Sequence, residues 1–390
     1  MINVFLLGLT SLLADFSSEM VVPILPFFIQ SVGGTGIAIG LIFGIGDAVA
    51  ALLRVFSGYW ADKTKKYKLF VFSGYLFSSI AKLGYLGASM WQQVAFIRPI
   101  ERLGKGFRDA PRDAIISESV PESKRGRAFG VQRAMDSIGA FIGAVAVLVF
   151  FVFLDFSFRN IFLFSAFVGL AAVIPILFVR VPKDLSLNHH KKVSFSKLSP
   201  KARRFIVVAT IFALANFSIA FFILQAQALL PRNSTDNALL LTLVVYIIYN
   251  LVDSIASAPA GALSDRIGRR RTILIGYSLF ALVCAGFVLT TLFETGHKEA
   301  FFILVVLFAL YGLFKAFIDA AQRAFVSDLS QDEIRATALG TFETFTGLAA
   351  IPSGLIAGVL WNMNPIATFG FGFLMSLVAL VSLASFVRKS

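Results

Sequence analysis

The sequence predicts an all-α polytopic membrane protein with twelve transmembrane helices, set out as two pseudo-symmetric six-helix bundles. Three observations carry this: the composition, the spacing of apolar runs and an internal repeat. Of the 390 residues, 57% are hydrophobic and 15% charged, with 43 Phe, and the mean hydropathy is +0.82. A soluble domain carries about 25% charged residues, so this chain lacks the polar surface to coat a soluble globule. A soluble enzyme, a disordered chain and a disulfide scaffold are excluded, the last by a single cysteine, Cys284, inside an apolar run.

Apolar runs of roughly 20 residues or more, enough to cross a bilayer, fall near 2–30, 36–61, 69–89, 92–117, 127–153, 160–180, 204–230, 238–263, 272–293, 300–326, 336–361 and 365–387. The first reads as a spanning helix, not a cleavable leader. It has no basic start and no small-residue cleavage pattern, and it contains Asp15 and Glu19. The polar stretch from Arg180 to Arg204 separates the sixth run from the seventh. The expected domains are therefore a bundle over 1–181, a cytoplasmic linker over 182–202 and a second bundle over 203–390.

Loop charges orient the chain. Lys63, Lys65, Lys66, Lys68, Lys124, Arg125, Arg127, the linker cations, Arg266, Arg269, Arg270, Arg271, Arg335, Arg388 and Lys389 fall on one side. The other side has Arg159, Arg232 and Lys298. The positive-inside rule then places both termini and the linker in the cytoplasm, with the chain multi-pass in the cytoplasmic (inner) membrane. The net charge of +13 reads as topology, so the lipid bilayer and not nucleic acid is the expected surface partner. His189 and His190 lie in the linker and His297 in a short loop, so no metal site and no cofactor are expected.

The halves repeat. Gly58-x-x-x-Asp62 recurs as Gly261-x-x-x-Asp265 after the second helix of each half, and Ala14-Asp15-Phe16-Ser17 recurs as Ala215-Asn216-Phe217-Ser218. Lys105, Asp109, Ser117, Arg125, Ala128 and Gly130 match Lys315, Asp319, Ser327, Arg335, Ala338 and Gly340 at one constant offset. Parallel six-plus-six repeats with a site between them are a transporter architecture.

Many charges fall inside the spans. The bases are Arg54, Lys82, Arg98, Arg102, Lys105, Arg108, Arg112, Arg133, Lys315 and Arg323. The acids are Asp15, Glu19, Asp47, Glu101, Asp109, Asp113, Asp136, Asp253, Asp319 and Glu343. Each costs about 2.5–3.5 kcal/mol at a helix centre, so each is expected to face protein or water. Helices 1, 4, 7 and 10 are polar near mid-span, through Asp15 and Glu19, through Arg102, Lys105 and Asp109, through Asn216 and Gln225, and through Lys315, Asp319 and Gln322. These helices are expected to line a cavity. Helices 6, 9 and 12 carry no charge and helix 3 only Lys82, so the third helix of each three-helix group is expected to face lipid. On helix 4, Arg98, Glu101, Arg102, Lys105, Asp109 and Arg112 recur at steps of three and four and form one stripe. Asp15 and Glu19, one turn apart, suit a proton site, or else neutralise helix 4 cations.

With these residues in hand, the whole chain resembles the major facilitator superfamily. The superfamily's loop motif, Gly-x-x-x-Asp-(Arg/Lys)-x-Gly-(Arg/Lys)-(Arg/Lys), reads Gly261-Ala-Leu-Ser-Asp265-Arg266-Ile-Gly268-Arg269-Arg270 in the second half. In the first half it is Gly58-Tyr-Trp-Ala-Asp62-Lys63-Thr-Lys65-Lys66, with Lys65 at the inner Gly place. Arg102-Leu-Gly-Lys105-Gly106-Phe-Arg108 echoes the helix 4 motif, and its extension to Asp113 resembles a prokaryotic drug- or metabolite-efflux-like branch. The helix 5 antiporter motif is echoed in part by Gly139-Ala-Phe-Ile-Gly143-Ala144.

The resemblance implies the superfamily fold and a gate built on the loop motifs. Gly58, Asp62, Lys66, Gly261, Asp265, Gly268 and Arg269 are its residues, with Asp62 an interfacial charge that accepts from a neighbouring helix N-terminus or nearby cations. The expected function is secondary active transport of a small organic solute by alternating access, proton-coupled, with efflux (antiport) favoured. The alternative is proton-coupled uptake (symport) or exchange of an organic anion held by the cationic helix 4 stripe. The expected coupling and cavity residues are Asp15, Glu19, Arg102, Lys105, Asp109, Arg112, Asn216, Lys315, Asp319 and Gln322. Asp15 and Glu19 are expected to face Arg102 and Lys105. No catalytic residues are expected, ATP-driven transport is excluded by the lack of a phosphate-binding loop, and a monomer is expected.

Overall fold

Prolines and glycines punctuate a chain that is otherwise helical wherever the computed structural model describes it: residues 1–181, 198–230, 235–293, 297–331 and 334–385. Most of the expected linker, 182–197, lies outside the described residues, as do His189, His190, Arg232, Arg388 and Lys389. Among the described residues there is no strand. The chain divides into two units, Met1–Gly34 with Ile45–His190, and Thr35–Gly44 with Lys191–Ser390.

The first unit holds α1 (Ile2–Val21), α2 (Leu25–Ser31), most of α3 (Gly36–Thr64), α4 (Tyr67–Gly87), α5 (Trp91–Glu118), α6 (Arg125–Phe153), α7 (Phe158–Ala171) and α8 (Ile174–Leu177). α1 and α2 are one span, interrupted where Pro23 lacks the N–H that would continue the helix. α7 and α8 are likewise one span, broken just before Pro175. Lipid tails are as apolar as leucine, so close backbone approach and polar contacts, not water exclusion, hold these helices together. A side chain at Gly104 would strike the Gly74 carbonyl and Ser78 of α4, and one at Gly106 the Ala50 carbonyl of α3. α5 is thereby clasped between α3 and α4. The partial antiporter motif does the same for α6: side chains at Gly139 and Gly143 would strike the Leu12 and Phe16 carbonyls of α1.

The second unit holds α9 (Pro200–Ala215), α10 (Ile219–Leu229), α11 (Thr235–Ile267), α12 (Arg269–Leu292), α13 (His297–Asp328), α14 (Arg335–Met363) and α15 (Pro365–Ser385). α9 and α10 are one span, broken at Asn216, Phe217 and Ser218. Ser218 restarts the helix as its N-cap, its Oγ accepting from the Ala220 N–H at 3.2 Å. The first ten residues around the start of α3 pack within this unit: Gly36, Gly40 and Gly44 meet the backbone of Gly358, Gly354 and Ala350 on α14. The Gly36 N–H donates to Asn362 Oδ1 at 2.9 Å.

Among the described residues, eleven spans, counting each broken pair once, are long and apolar enough to cross a membrane. α5 is as long, at 28 residues, and loses apolarity only to its charges. With α5 the helices meet the expected twelve.

Candidate functional site

The charged stripe of α5 exists, and it fans toward three neighbours. Toward α4, Arg98 Nη1 donates to Glu101 Oε2 at 2.8 Å, and Tyr85 donates to the same oxygen at 2.7 Å. Both members of this pair are 4% exposed. Arg108 also points toward α4, donating to Ser78 Oγ at 3.0 Å with its guanidinium 4.1 Å from the centre of the Tyr75 ring. Toward α3, Arg102 pairs with Asp47 at 2.5 Å and Asp109 with Arg54 at 2.8 Å. Toward α1, Arg112 donates to Ser11 Oγ at 3.0 Å, while its other nitrogens hold Asp113.

This corrects the expectation that Asp15 and Glu19 face Arg102. That guanidinium is taken by Asp47 on α3. Asp15 does lie within electrostatic reach of Lys105, and Lys105 makes no ion pair among the described residues. Asp15 and Glu19 are both half-buried on α1. Lys82, the one charge on a helix expected to face lipid, is 2% exposed and faces protein, as expected of a charge within a span. Its ammonium donates to Ser17 Oγ at 2.5 Å and Ser18 Oγ at 3.4 Å, and Ser17 in turn donates to the Ser165 carbonyl at 2.6 Å. Hydroxyls at the seam of α1, α4 and α7 solvate this cation.

The sequence reading missed Asp47, Arg54 and Asp113 as partners, although a signal was present. Asp47 and Arg54 lie two turns apart on α3, and Arg102 and Asp109 lie two turns apart on α5 with the signs exchanged. Both pairs span 55 residues, as two parallel helices in register require.

In the second unit, Lys315 and Asp319 close on each other along α13 at 2.8 Å, with side chains 38% and 40% exposed. Arg323 pairs with Glu343 on α14. Gln322 Nε2 donates to Tyr277 at 2.9 Å, and Gln225 Nε2 to Thr291 at 2.9 Å. Asn216 sits half-buried at the break between α9 and α10. Charged groups that stay exposed in mid-span must meet water, not lipid. Each unit thus carries a wet polar face, on α3 and α5 in the first and on α13 in the second.

The loop motifs differ between the halves. Asp62 is buried and accepts from the Tyr67 hydroxyl at 2.5 Å, which corrects its expected interfacial place. Asp265 is exposed and pairs with Arg269 at 2.6 Å, and Arg269 also reaches Asp328 at 3.6 Å. Lys65 and Gly268, which occupy the same motif place, both have positive φ, 58° and 93°. The left-handed turn is kept where the glycine is not. Lys66 is exposed at the N-cap position of α4, and Gly58 and Gly261 make no close backbone approach. In each unit a cation beside the motif caps a distant helix end. Lys68 donates to the Leu177 and Val179 carbonyls at 2.8 and 3.0 Å, and Arg270 to the Ala384 carbonyl at 2.8 Å.

Comparison with known proteins agrees with this architecture. The sequence model of the Major Facilitator Superfamily matches residues 7–246 and 233–390. An MFS-type transporter of Methanocaldococcus jannaschii is 43% identical over 379 residues, 97% of this chain and 93% of the relative. The multi-drug resistance efflux pump PmrA of Streptococcus pneumoniae is 25% identical over 297 residues, 70% of each chain. A crystal structure of a mutant of the nucleoside transporter NupG superposes with a TM-score of 0.82 at 15% identity over 99% of both chains, a likeness of fold.

Proposed function

The chain belongs to the Major Facilitator Superfamily, whose members are transporters and not enzymes, and on that premise we propose that it exports a neutral or cationic organic solute by proton-coupled alternating access. One observation carries the choice of solute. Of the cations that would hold an anion, all but Lys105 are occupied: Arg102 by Asp47, Arg112 by Asp113, Lys315 by Asp319. An anionic solute would have to displace a carboxylate already in place, at a cost in desolvation as well as charge. A neutral solute meets no such competitor, and a cationic one finds Asp15 without an ion pair among the described residues. The efflux pump among the relatives supports the outward direction.

In this reading Asp15, Glu19 and Lys105 carry coupling, Asp109, Asn216, Asp319 and Gln322 contribute polar contacts, and the loop motifs around Asp62 and Asp265 gate. The loop charges put both termini in the cytoplasm, and the unit of function is the monomer. A second reading, uptake or exchange of an organic anion, rests on Lys105, which lacks an ion pair among the described residues.

The test is a proteoliposome assay with an imposed pH gradient, using ethidium as a lipophilic cation and benzoate as an organic anion. Saturable, gradient-driven ethidium movement with no benzoate movement is the expected result. Benzoate movement without ethidium movement would replace this reading with the second.

A further inference from the structure

The ion pairs of the first unit leave Asp15 and Asp136 without one among the described residues. Asp136 lies on the part of α6 that packs against α1. Its neighbour Met135 touches Gly8, and one turn on, Gly139 has no side chain because the Leu12 carbonyl lies there. Asp136 Oδ2 accepts from Gln132 Nε2 at 2.5 Å, one turn back on the same helix. Its Oδ1 is shielded from solvent and has no donor among the described residues.

The charged groups around it are Asp15 from α1, Lys105 and Arg112 from α5, and Arg133 from its own helix. Arg112 is already held by Asp113 and Ser11. Lys105 makes no ion pair among the described residues. The two forms of this carboxyl ask different things of their surroundings. Ionised, Oδ1 needs a donor or a cation; protonated, it carries no charge and needs only an acceptor for its O–H. A shift of α5 that brings the Lys105 ammonium to Oδ1 supplies the first condition, and its withdrawal favours the protonated form.

From this geometry we infer that Asp136 takes up and releases the coupling proton, with Asp15 and Lys105 as the charges that set when it does so. The inference rests on the proton-coupled reading above and moves its central residue from α1 alone to the α1–α6 seam. When the proton leaves, the O–H bond at Oδ1 breaks, a water molecule takes the proton through a new O–H bond, the carboxylate keeps the electron pair and Lys105 neutralises it.

Wild type, Asp136→Asn and Asp136→Glu in proteoliposomes decide it, with ethidium counterflow and gradient-driven ethidium accumulation measured side by side. Counterflow is expected to survive in Asp136→Asn, which also shows that the variant folds. Accumulation is expected to fall on the order of 10-fold or more, the size of a lost coupling, and Asp136→Glu to restore it. Infrared pH titration of the purified protein adds a readout that needs no solute: the protonated-carboxyl band of wild type should be diminished in Asp136→Asn. An Asp136→Asn protein that accumulates ethidium with the wild-type pH profile, or an unchanged infrared titration, overturns the assignment alone. A wild-type protein indifferent to the pH gradient overturns the coupling reading and the assignment with it.

Discussion

In the first unit α5 meets α3 through guanidinium and carboxylate groups, and α4 through hydroxyls and a ring that hold its charges, whereas the second unit fills the space between α9, α10, α12, α13 and α15 with rings. Phe212 stacks on Tyr277 at 3.8 Å between centroids, and Phe217, Phe222, Phe280, Phe287, Tyr311, Phe314 and Phe369 continue the cluster. The two halves share a repeat, so the difference is one of side chains and not of plan. Ring packing has no charge to satisfy, and it holds its helices in any protonation state. Ion pairs can change partners, and they respond when a proton or a cation arrives.

The repeated Lys–Asp step shows how small the divergence need be. In the second unit Lys315 and Asp319 pair with each other. In the first, the matching Asp109 is drawn to Arg54, which leaves Lys105 without an ion pair among the described residues. Arg54 stands four residues before Gly58, and the residue four before Gly261 is Ser257, which donates to the Asp253 carbonyl instead. One arginine on α3 frees one lysine on α5.

The largest way to break the comparison is to unbalance the charged unit. Glu101→Leu leaves Arg98 buried without its carboxylate and should cost about 3–5 kcal/mol. Thermal unfolding in detergent reads it, and a melting temperature within a degree or so of wild type would mean the pair is not structural. Next is Phe222→Ala, which opens a cavity among the rings and should cost roughly 2–3 kcal/mol, below the usual value for soluble cores because lipid replaces water as the reference. The same melts check it, and transport by the surviving folded fraction should be normal per molecule.

Arg54→Ser gives the first unit the residue of the second and should let Lys105 close on Asp109. The expected stability loss is about 1 kcal/mol, since one ion pair replaces another. A cycle of single and double variants with Lys105→Met measures it, and additive losses would show that the new pair does not form. The smallest effect is expected at Asp319→Asn, about 0.5 kcal/mol or less, because that pair is exposed and within one helix turn. A loss as large as that of Glu101→Leu would mean that Asp319 is buried during the cycle.

Much of this molecule was legible in its residues alone. The twelve spans follow from runs of apolar side chains, which are local. The breaks at Pro23 and Pro175 went unread within those runs, although a missing N–H accounts for them. The loop motif, the repeat and the charged stripe of α5 follow from spacing along one helix, where a step of three or four residues fixes direction. The sequence also placed Asp15, Lys105, Lys315 and Asp319 inside the membrane, where each needs water or a partner. Which partner each takes was decided by tertiary structure. Asp47 and Arg54 claimed Arg102 and Asp109, Lys82 turned inward to hydroxyls, Asp62 was buried under Tyr67, and Asp136 kept an oxygen with no donor among the described residues. An ion pair forms only within about 4 Å, and that distance is set by which helices lie side by side and by the glycines that let them approach. Those contacts join residues far apart in the chain, and no local period along it records them.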